Sequence, residues 1–295
     1  MALRPAGIHA SPSTARKTWR SLEPLHGMIY FAPEASASYA RLGIQDRAGY
    51  FASRSAAMGA VGADTVIATF FNFDPELVRS AIPGAWEAAS PAQVLEARVG
   101  AADAALRRML GDAVGTEPMA RAAELARRAA ERAALRYEGR PLFAAHAALP
   151  WPEPPHLVLW HAQTLLREFR GDGHVALLVA AELDPVEALA LHLATGELPE
   201  AFLRGTRGWS DDAWDAGVVR LVGRGLVRRV EPSGAHPASL ALTDAGTALR
   251  QEIEDATDRL ALSAYEALGD ELCTELRALA RPFSRTVVDA AGLGF

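Results

Sequence analysis

The sequence predicts a mainly α-helical protein with one small β-hairpin in its C-terminal half. Apolar residues recur at helical spacing through most of the chain, and two short β-segments occur at 226–230 and 239–242. A length of 295 residues favours two domains. We therefore expect an N-terminal helical domain over 14–140, a linker over 141–155, and a second domain over 156–295 that carries the hairpin.

The N-terminal domain is predicted to be a set of short and long helices. Residues 1–13 form a Pro-, Ser- and Ala-rich leader with little periodicity, so regular structure should begin near Thr14. Asp74 followed by Pro75 predicts a capped helix that ends before Pro83, because Asp is a favoured N-cap and Pro fits the first turn. Residues 91–139 predict two long helices with a break at 115–118.

Residues 140–155 contain five prolines and predict an extended segment, because each proline disfavours helix at the residue before it. The next segment predicts a helix up to Arg170. The sequence Gly171-Asp172-Gly173 then predicts an interruption, with a new helix beginning at His174 or Val175.

The second domain contains three further helix starts. Asp184-Pro185 with Glu187 predicts a capping box, a short helix follows Pro199, and Ser210 is the expected N-cap of the helix after it. The hairpin comes next, and Thr243 is expected to cap a long helix. Three helices, a hairpin and a long helix follow one another in the order of a winged-helix domain.

The last predicted helix carries an apolar face that spans several turns. We expect this face to form a homodimer interface, although packing on the N-terminal domain would cover it equally well. Its residues are Leu268, Leu272, Leu276, Leu279 and Phe283.

Two motifs flank the hairpin, Gly225-Leu226-Val227-Arg228-Arg229 before it and Leu242-Thr243-Asp244-Ala245-Gly246 after it. Together with the capped helix and the long C-terminal helices, they resemble the winged helix-turn-helix of MarR-type transcription regulators over roughly 171–288. The whole chain, with EPLHGMIYFAPEA, GYFASRSAAMG and LLREFRGDGH, further resembles an actinobacterial helix-turn-helix family of unknown function. The resemblance implies a MarR-like winged-helix domain with a small β-hairpin wing, but it does not imply a function.

The helix at 210–223 would be the recognition helix of such a domain, and its first exposed positions are acidic. Asp211, Asp212 and Asp215 would repel phosphates, although the first two also suit a helix N-terminus. The net charge of −6 has the wrong sign for a dedicated nucleic-acid binder. Four arginines remain as a possible basic patch: Arg220, Arg224, Arg228 and Arg229. The wing tip at 231–237 contains no arginine. We expect DNA binding to be weak.

Aromatic side chains are dense between Trp19 and Trp86, with few charges among them. Such a lining suits a flat apolar ligand oriented by a few polar groups, and an ordinary aromatic core explains it equally well. The candidate ligand-binding residues here are His26, Tyr30, Tyr50 and Arg54. A haem bound through His26 is a weaker alternative, and no cofactor is identified.

The helix predicted from His156 onward adds three candidate ligand-binding residues, His156, Trp160 and Arg167. Trp160 and Arg167 are seven residues apart and share a helix face. The Arg167 guanidinium is expected to bind a ligand carboxylate or enolate, with Asp172 as the competing internal partner.

The candidate catalytic residues are His161, His174 and Asp172. A histidine next to a carboxylate on a glycine-flanked turn is a possible general base. The alternative is that Asp172 only caps the helix beginning near His174.

Several classes of site and enzyme are disfavoured. Cys273 is the only cysteine, which excludes an intrachain disulfide and a thiolate cluster, and we expect no metal site. No phosphate-binding loop, dinucleotide-binding GxGxxG, HExxH or GxSxG motif occurs. No apolar stretch is long enough to cross a membrane, and the N-terminus lacks the apolar core of a signal peptide, so a cytoplasmic location is expected.

The leading hypothesis is a protein that binds an apolar or aromatic small molecule in an aromatic-lined pocket between its two domains, with the winged helix as a scaffold. One alternative is a MarR-like, ligand-responsive transcription regulator. The other is a cofactor-independent isomerase, cyclase or hydrolase of secondary metabolism.

Overall fold

The computed structural model describes residues 10–231 and 239–291. Within these ranges the chain is almost entirely helical, and no helix is long and apolar enough to cross a membrane. The α-helices are α1 (Pro12–Gly27), α2 (Pro33–Arg41), α3 (Asp46–Ser55), α4 (Ala63–Phe70), α5 (Pro75–Ala81), α6 (Gly84–Ala88), α7 (Pro91–Leu110), α8 (Glu117–Ala133), α9 (Pro141–Ala147), α10 (Pro155–Ala180), α11 (Pro185–Leu193), α12 (Glu200–Arg207), α13 (Asp211–Gly223), α14 (Asp244–Tyr265) and α15 (Gly269–Ala291). Two strands, β1 (Val227–Val230) and β2 (Ser239–Leu242), lie between α13 and α14.

The chain forms two compact units, each made of more than one stretch of sequence. Unit 1 comprises 1–61, 81–173 and 258–295, and unit 2 comprises 62–80 and 174–257. These boundaries differ from the predicted domains 14–140 and 156–295. Residues 62–80 group with the hairpin segment through tertiary contacts that helical periodicity does not reveal. The predicted leader falls mostly within 1–9, outside the described residues.

Unit 1 is a helical assembly in which the first and last helices of the described chain lie side by side. Helix α15 packs along α1 and also contacts α7 and α8, while α2 and α3 pack on α7. A break between the two long helices is confirmed, but it lies at 111–116 and not at 115–118, since α7 ends at Leu110 and α8 begins at Glu117. Ser11 caps α1 by accepting a hydrogen bond from the Thr14 N–H at 3.1 Å.

Most of the apolar face of α15 is covered within the same chain. Leu268, Leu276 and Phe283 are buried, and the helix that carries the last two packs on α1, α7 and α8. Leu272 and Leu279 are half-buried, so intramolecular packing covers most of the face on which the homodimer prediction rested. Homodimerisation stays a prediction without an assigned surface.

The extended segment predicted over 140–155 is wrong for its first half, where α9 forms. Pro141 occupies the first turn of α9, where a proline costs no hydrogen bond and its fixed φ suits the helix. Leu142 and Phe143 are buried in unit 1. The proline therefore begins a helix here, and the segment 141–155 belongs to the compact unit.

The helix interruption predicted at Gly171-Asp172-Gly173 is also wrong, because α10 runs without a break from Pro155 to Ala180. Packing overrides the low helix propensity of the two glycines. A Cβ atom added to Gly173 would lie 3.6 Å from the Leu260 side chain, in ordinary van der Waals contact, so the glycine sits against a filled surface.

The helix starts predicted in unit 2 are confirmed. Asp184 and Glu187 form a capping box at α11, with hydrogen bonds of 2.8 and 3.0 Å. The Ser210 hydroxyl accepts from the Ala213 N–H at the start of α13, and Thr243 accepts from the Gly246 N–H at the start of α14. Asp74 caps α5 in the same way.

The core of unit 2 is mostly aliphatic and contains the large aromatic side chain of Trp214. Gly208 makes the turn between α12 and α13, with φ at +82°, a conformation that favours glycine. Two hydrogen bonds tie residues 62–80 to this turn: the Trp209 indole donates to the Asn72 carbonyl at 3.1 Å, and the Asp74 N–H donates to the Arg207 carbonyl at 2.9 Å.

Strands β1 and β2 pair in antiparallel register, with Val227 opposite Leu242 and Val230 opposite Ser239. The wing tip at 231–237, whose sequence contains no arginine, lies outside the described residues except for Glu231. Gly246 lies under β1, since an added Cβ atom would be only 1.9 Å from the Leu226 carbonyl oxygen. The glycine of the LTDAG motif is thus required by a close backbone approach.

Candidate functional site

Six of the seven predicted ligand-binding residues come together in the core of unit 1. With the side chains that bond to them or stack on them, they form what we call the unit 1 polar cluster. Its members are Glu23, His26, Tyr30, Tyr50, Arg54, Arg98, Trp160, Thr164, Arg167 and Glu168.

Glu168 is the central anion of the cluster. Both of its oxygens accept from the Arg54 Nη2 atom at 3.1 Å, and one also accepts from Arg167 at 3.1 Å. Arg167 donates its Nε–H to Glu23 at 2.8 Å. Burial opposes ionisation of Glu168, but Arg54 and Arg167 outweigh it and lower the pKa of the carboxyl to about 2. Arg167 therefore pairs with Glu23 and Glu168, and Asp172, the competing internal partner weighed from the sequence, is not bonded to it. Binding of a ligand by Arg167 stays a prediction.

His26 joins two helices of the cluster as a neutral imidazole. Its Nδ1 lies 2.9 Å from the Thr164 hydroxyl on α10, and its Nε2 lies 2.7 Å from the Tyr30 hydroxyl. Burial holds the His26 pKa well below its ordinary value, and Arg167 lowers it further. Both ring nitrogens are occupied, so the geometry gives no support to a haem bound through His26.

Arg98 on α7 is buried at 2% exposure and stacks over Trp160, with 5.2 Å between the guanidinium carbon and the ring centroid. Its Nη1 donates to the Ser53 carbonyl at 3.2 Å. Its Nε and Nη2 atoms and the Trp160 indole nitrogen are buried without a hydrogen-bond partner among the described residues. Sequence reasoning missed Arg98, because an arginine in an alanine-rich helix is typical of a solvated face.

Two predicted histidines lie elsewhere in unit 1. His156 Nε2 is 2.6 Å from an Asp103 oxygen, so this predicted ligand-binding residue forms a pair outside the cluster. His161, a predicted catalytic base, meets the Trp151 ring edge to face at 4.8 Å between centroids. Burial and then Arg98 lower the His161 pKa to about 4, which makes it a poor base near neutral pH.

The predicted catalytic pair of Asp172 and His174 has other partners. Asp172 accepts from the Phe143 N–H at 2.9 Å and so caps α9, not the helix that was expected at His174. Burial raises the Asp172 pKa to about 7. His174 belongs to unit 2, where its Nδ1 lies 3.0 Å from the Thr257 hydroxyl. Asp172 therefore does not orient His174, and the hypothesis of a general base formed by this pair is not supported.

Unit 2 contains a cavity of about 320 Å³, which we call the unit 2 cavity. Its walls are mainly apolar side chains from α10, α11, α12 and α14 and from the end of α4. The apolar lining residues are Phe70, Phe71, Val175, Leu178, Ala188, Leu189, Leu191, Leu198, Leu203 and Ile253, and the polar ones are Asn72, His174, His192, Arg207, Arg250 and Glu254. Of the predicted site residues, only His174 lines this cavity.

Sequence reasoning placed Phe70 and Phe71 in an aromatic cluster but assigned that cluster to the N-terminal domain. His192 and Arg250 carried no signal, because each lies on a helix whose apolar spacing predicts only packing. Burial lowers the His192 pKa, so this side chain enters the cavity as a neutral imidazole.

The surface of α13 is acidic at its start and carries arginines near its end. Asp211, Asp212 and Asp215 are exposed. Arg220 bonds to Asp184 and Glu187, which leaves less of its charge for phosphate.

A second arginine beyond α13 is engaged in the same way. Arg224 bonds to Glu187 and to the carbonyls of Ala181 and Glu182. On β1, Arg228 and Arg229 are exposed.

The described residues contain no group of three or more His, Cys, Asp or Glu side chains placed to hold a metal ion. Cys273 is buried, and burial raises its thiol pKa to about 11. The site chemistry described above is therefore that of arginine, carboxylate and aromatic groups.

A family model described as a helix-turn-helix family matches residues 15–294. No curated protein and no solved structure matches the chain. The match covers nearly the whole sequence, including both units. The chain therefore belongs to this helix-turn-helix family.

Proposed function

We propose that this helix-turn-helix family member is a small-molecule-binding protein whose ligand occupies the unit 2 cavity, and that it binds DNA weakly. The observation that carries the proposal is the cavity itself. Its volume of about 320 Å³ lies within the range of about 300–1,000 Å³ that is usual for ligand pockets.

The lining of the cavity favours an apolar or aromatic ligand with one polar end. Phe71, Leu178 and Leu191 offer apolar contact, while His192 and Arg250 offer hydrogen bonds at defined positions. A few polar groups in a mainly apolar wall orient a ligand and select it. This arrangement lies wholly inside unit 2, so the ligand is held by the helix-turn-helix unit itself.

The charge on α13 supports weak DNA binding. Three exposed carboxylates at the start of a recognition helix oppose phosphate, and the Arg220 and Arg224 side chains already bond to carboxylates. The two exposed basic side chains on β1, Arg228 and Arg229, supply too few phosphate contacts for a tight complex.

Ligand binding can be tested with 1-anilinonaphthalene-8-sulfonate, an apolar dye with one anionic group. We expect saturable binding with a negative heat-capacity change, since apolar surface is buried. Ala188→Leu places extra bulk in the cavity wall and should weaken binding about tenfold. Ala176→Leu on the exposed side of α10 is the matched control and should bind as the wild type does. Equal affinity in both variants, or no saturable binding, would contradict the proposal.

DNA binding can be tested by titrating the fragment upstream of the chain's own gene and a random fragment at physiological salt. We expect similar and weak affinities for the two. The triple variant Asp211→Asn, Asp212→Asn, Asp215→Asn should bind both fragments more tightly, because three repulsive charges are removed.

A MarR-like, ligand-responsive regulator is the second candidate function. The helix-turn-helix family match fits a regulator in general, and the exposed Arg228 and Arg229 on β1 favour contact with DNA. Such a regulator would bind its own upstream fragment with nanomolar affinity and several-hundred-fold preference over random DNA. That result would replace the scaffold proposal, and release of the fragment by a cavity ligand would establish regulation.

A further inference from the structure

The buried guanidinium of Arg98 has one edge without a partner. Its Nη1 is used by the Ser53 carbonyl, and its plane lies against Trp160. The opposite edge, formed by Nε and Nη2, makes no hydrogen bond with the described residues. A buried donor without a hydrogen bond costs free energy, so this edge is suited to bind an acceptor.

The same edge binds carboxylates elsewhere in this chain. Arg121 donates from Nε and Nη2 to the two oxygens of Glu275, at 2.7 and 3.2 Å. Arg108 uses the same two nitrogens on Glu34. Two parallel hydrogen bonds from this edge match the planar carboxylate group.

The charges around Arg98 do not balance. The cluster holds three arginines, Arg54, Arg98 and Arg167, and its two carboxylates are Glu168 and Glu23. Glu168 bonds to Arg54 and Arg167, and Glu23 bonds to Arg167. One positive charge is left over among these five side chains, and Arg98 is the arginine without a carboxylate partner. Asp172, which also interacts with Arg54 and Glu168, is only partly ionised near neutral pH, because burial raises its pKa to about 7.

The neighbouring histidines do not change this balance. Burial and then Arg98 lower the His146 pKa to about 3, and the pKa values of His26 and His161 are lowered as well. At neutral pH all three are uncharged, so they add no cation and offer no anion. One additional negative charge would neutralise the cluster.

A second buried donor belongs to the ring that Arg98 lies over. The indole nitrogen of Trp160 is buried without a hydrogen-bond partner among the described residues. Two donor groups, one on α7 and one on α10, are therefore buried without an acceptor in the part of the chain that the structure describes.

We propose that unit 1 binds a small organic acid, whose carboxylate receives two hydrogen bonds from Arg98 Nε and Nη2 and one from the Trp160 indole. A monoanion fits this position because the surplus charge is one, whereas a phosphate dianion would leave the buried cluster negative. The site is separate from the unit 2 cavity and does not depend on the function proposed for it.

The test uses the full chain and sodium acetate as the probe. Native mass spectrometry of freshly purified protein should show an adduct that is lost on denaturation and yields an organic acid. After refolding in carboxylate-free buffer, acetate should raise the Tm by a few degrees more than sodium chloride at equal ionic strength.

Three variants assign the effect to the site. Arg98→Met should raise the acetate Kd about tenfold or more, because it removes a charged bidentate donor. Trp160→Phe keeps the ring, removes the N–H and should raise the Kd about threefold. Arg121→Met removes an arginine of the same geometry outside the cluster and should leave the Kd unchanged.

The stability of Arg98→Met separates this site from a structural role. In acetate-free buffer the variant should melt no lower than the wild type, because an uncompensated buried charge has been removed. Equal Tm shifts with acetate and chloride, or unchanged acetate affinity in Arg98→Met, would overturn the proposal. If Arg98→Met does not fold, unchanged affinity in Trp160→Phe would do the same.

Discussion

Unit 1 and unit 2 differ in where their charged side chains lie. Unit 1 buries ion pairs in its core, such as Arg54 with Glu168 and Arg170 with Asp258. Unit 2 fills its core with aliphatic side chains around Trp214 and keeps most of its ion pairs at the surface, as with Arg204 and Asp211. Both are helical, so the fold class does not require the buried charges.

This difference indicates which feature of each unit is suited to select a ligand. A buried ion pair seldom stabilises a protein more than apolar packing of the same volume would. Buried charges therefore point to a requirement other than stability, such as an oriented ligand. In unit 2 the comparable feature is the mainly apolar unit 2 cavity.

Among the variants that test this contrast between the units, Glu168→Gln should reduce the free energy of unfolding the most. It keeps the shape of the side chain but leaves Arg54 buried without its anion, so the free energy of unfolding should fall by about 3–5 kcal/mol. Urea denaturation followed by tryptophan fluorescence measures the change. The double variant Arg54→Met, Glu168→Met removes both charges and should recover much of the loss. A cost below about 1 kcal/mol for Glu168→Gln would mean that this pair is solvated.

Gly246→Ala tests the apolar unit by steric means. The new methyl group would meet the Leu226 carbonyl, which belongs to the backbone and cannot rotate away, so unit 2 should lose about 1–3 kcal/mol. Gly223→Ala is the matched control, because nothing lies within 4 Å of its Cβ position, and it should be neutral or slightly stabilising. Similar Tm values for the two variants would contradict the close approach.

Asp172→Asn examines the pH dependence that a buried carboxyl gives to unit 1. The folded-state pKa of Asp172, about 7, lies above its value of about 3.9 in an unfolded chain. Its contribution to stability is therefore complete below pH 4 or so and is lost as the pH rises towards 7 and above.

The asparagine variant still accepts from the Phe143 N–H and does not titrate. Its advantage in unfolding free energy over the wild type should grow with pH, by up to about 1.4 kcal/mol per pH unit between roughly pH 4 and 7. Urea melts at several pH values measure this growth, and the other titrating groups cancel in the difference. Parallel profiles would show that Asp172 ionises normally.

Asp211→Asn should have the smallest effect and sharpens the contrast with Glu168. Asp211 is exposed and its pair with Arg204 is in contact with water, so its loss should cost less than about 1 kcal/mol. A Tm measurement at low and high salt is sufficient, since salt should remove whatever difference exists. A cost comparable to that of Glu168→Gln would erase the contrast between the two units.

The parts of the fold that could be predicted from sequence are those with local causes. The capping box of Asp184 and Glu187 and the caps Ser210 and Thr243 act within one helical turn, and each was located correctly. Pro141 and the two glycines of Gly171-Asp172-Gly173 also gave local signals, and these predicted an extended segment and a helix break. In the structure α9 begins at Pro141 and α10 continues through the glycines, because tertiary packing favours helix at both places.

The candidate site was predictable in part for the same reason. His26, Tyr30, Arg54 and Arg167 could be singled out as polar groups among aromatics, and the structure brings them together. Their partners could not be chosen, because Glu23 and Glu168 meet Arg167 only through packing of distant helices. Arg98 gave no signal, since burial of one turn of α7 is a property of its neighbours.

The side-by-side packing of α1 and α15 determines when unit 1 can fold during synthesis of the chain. During synthesis α1 leaves the ribosome before α15, and the helix that covers it follows about 240 residues later. Until then the apolar face of α1, with Leu22 and Leu25, lacks its native cover. Such a long wait slows folding and exposes the nascent chain to aggregation, so unit 1 can be completed only after α15 has been made.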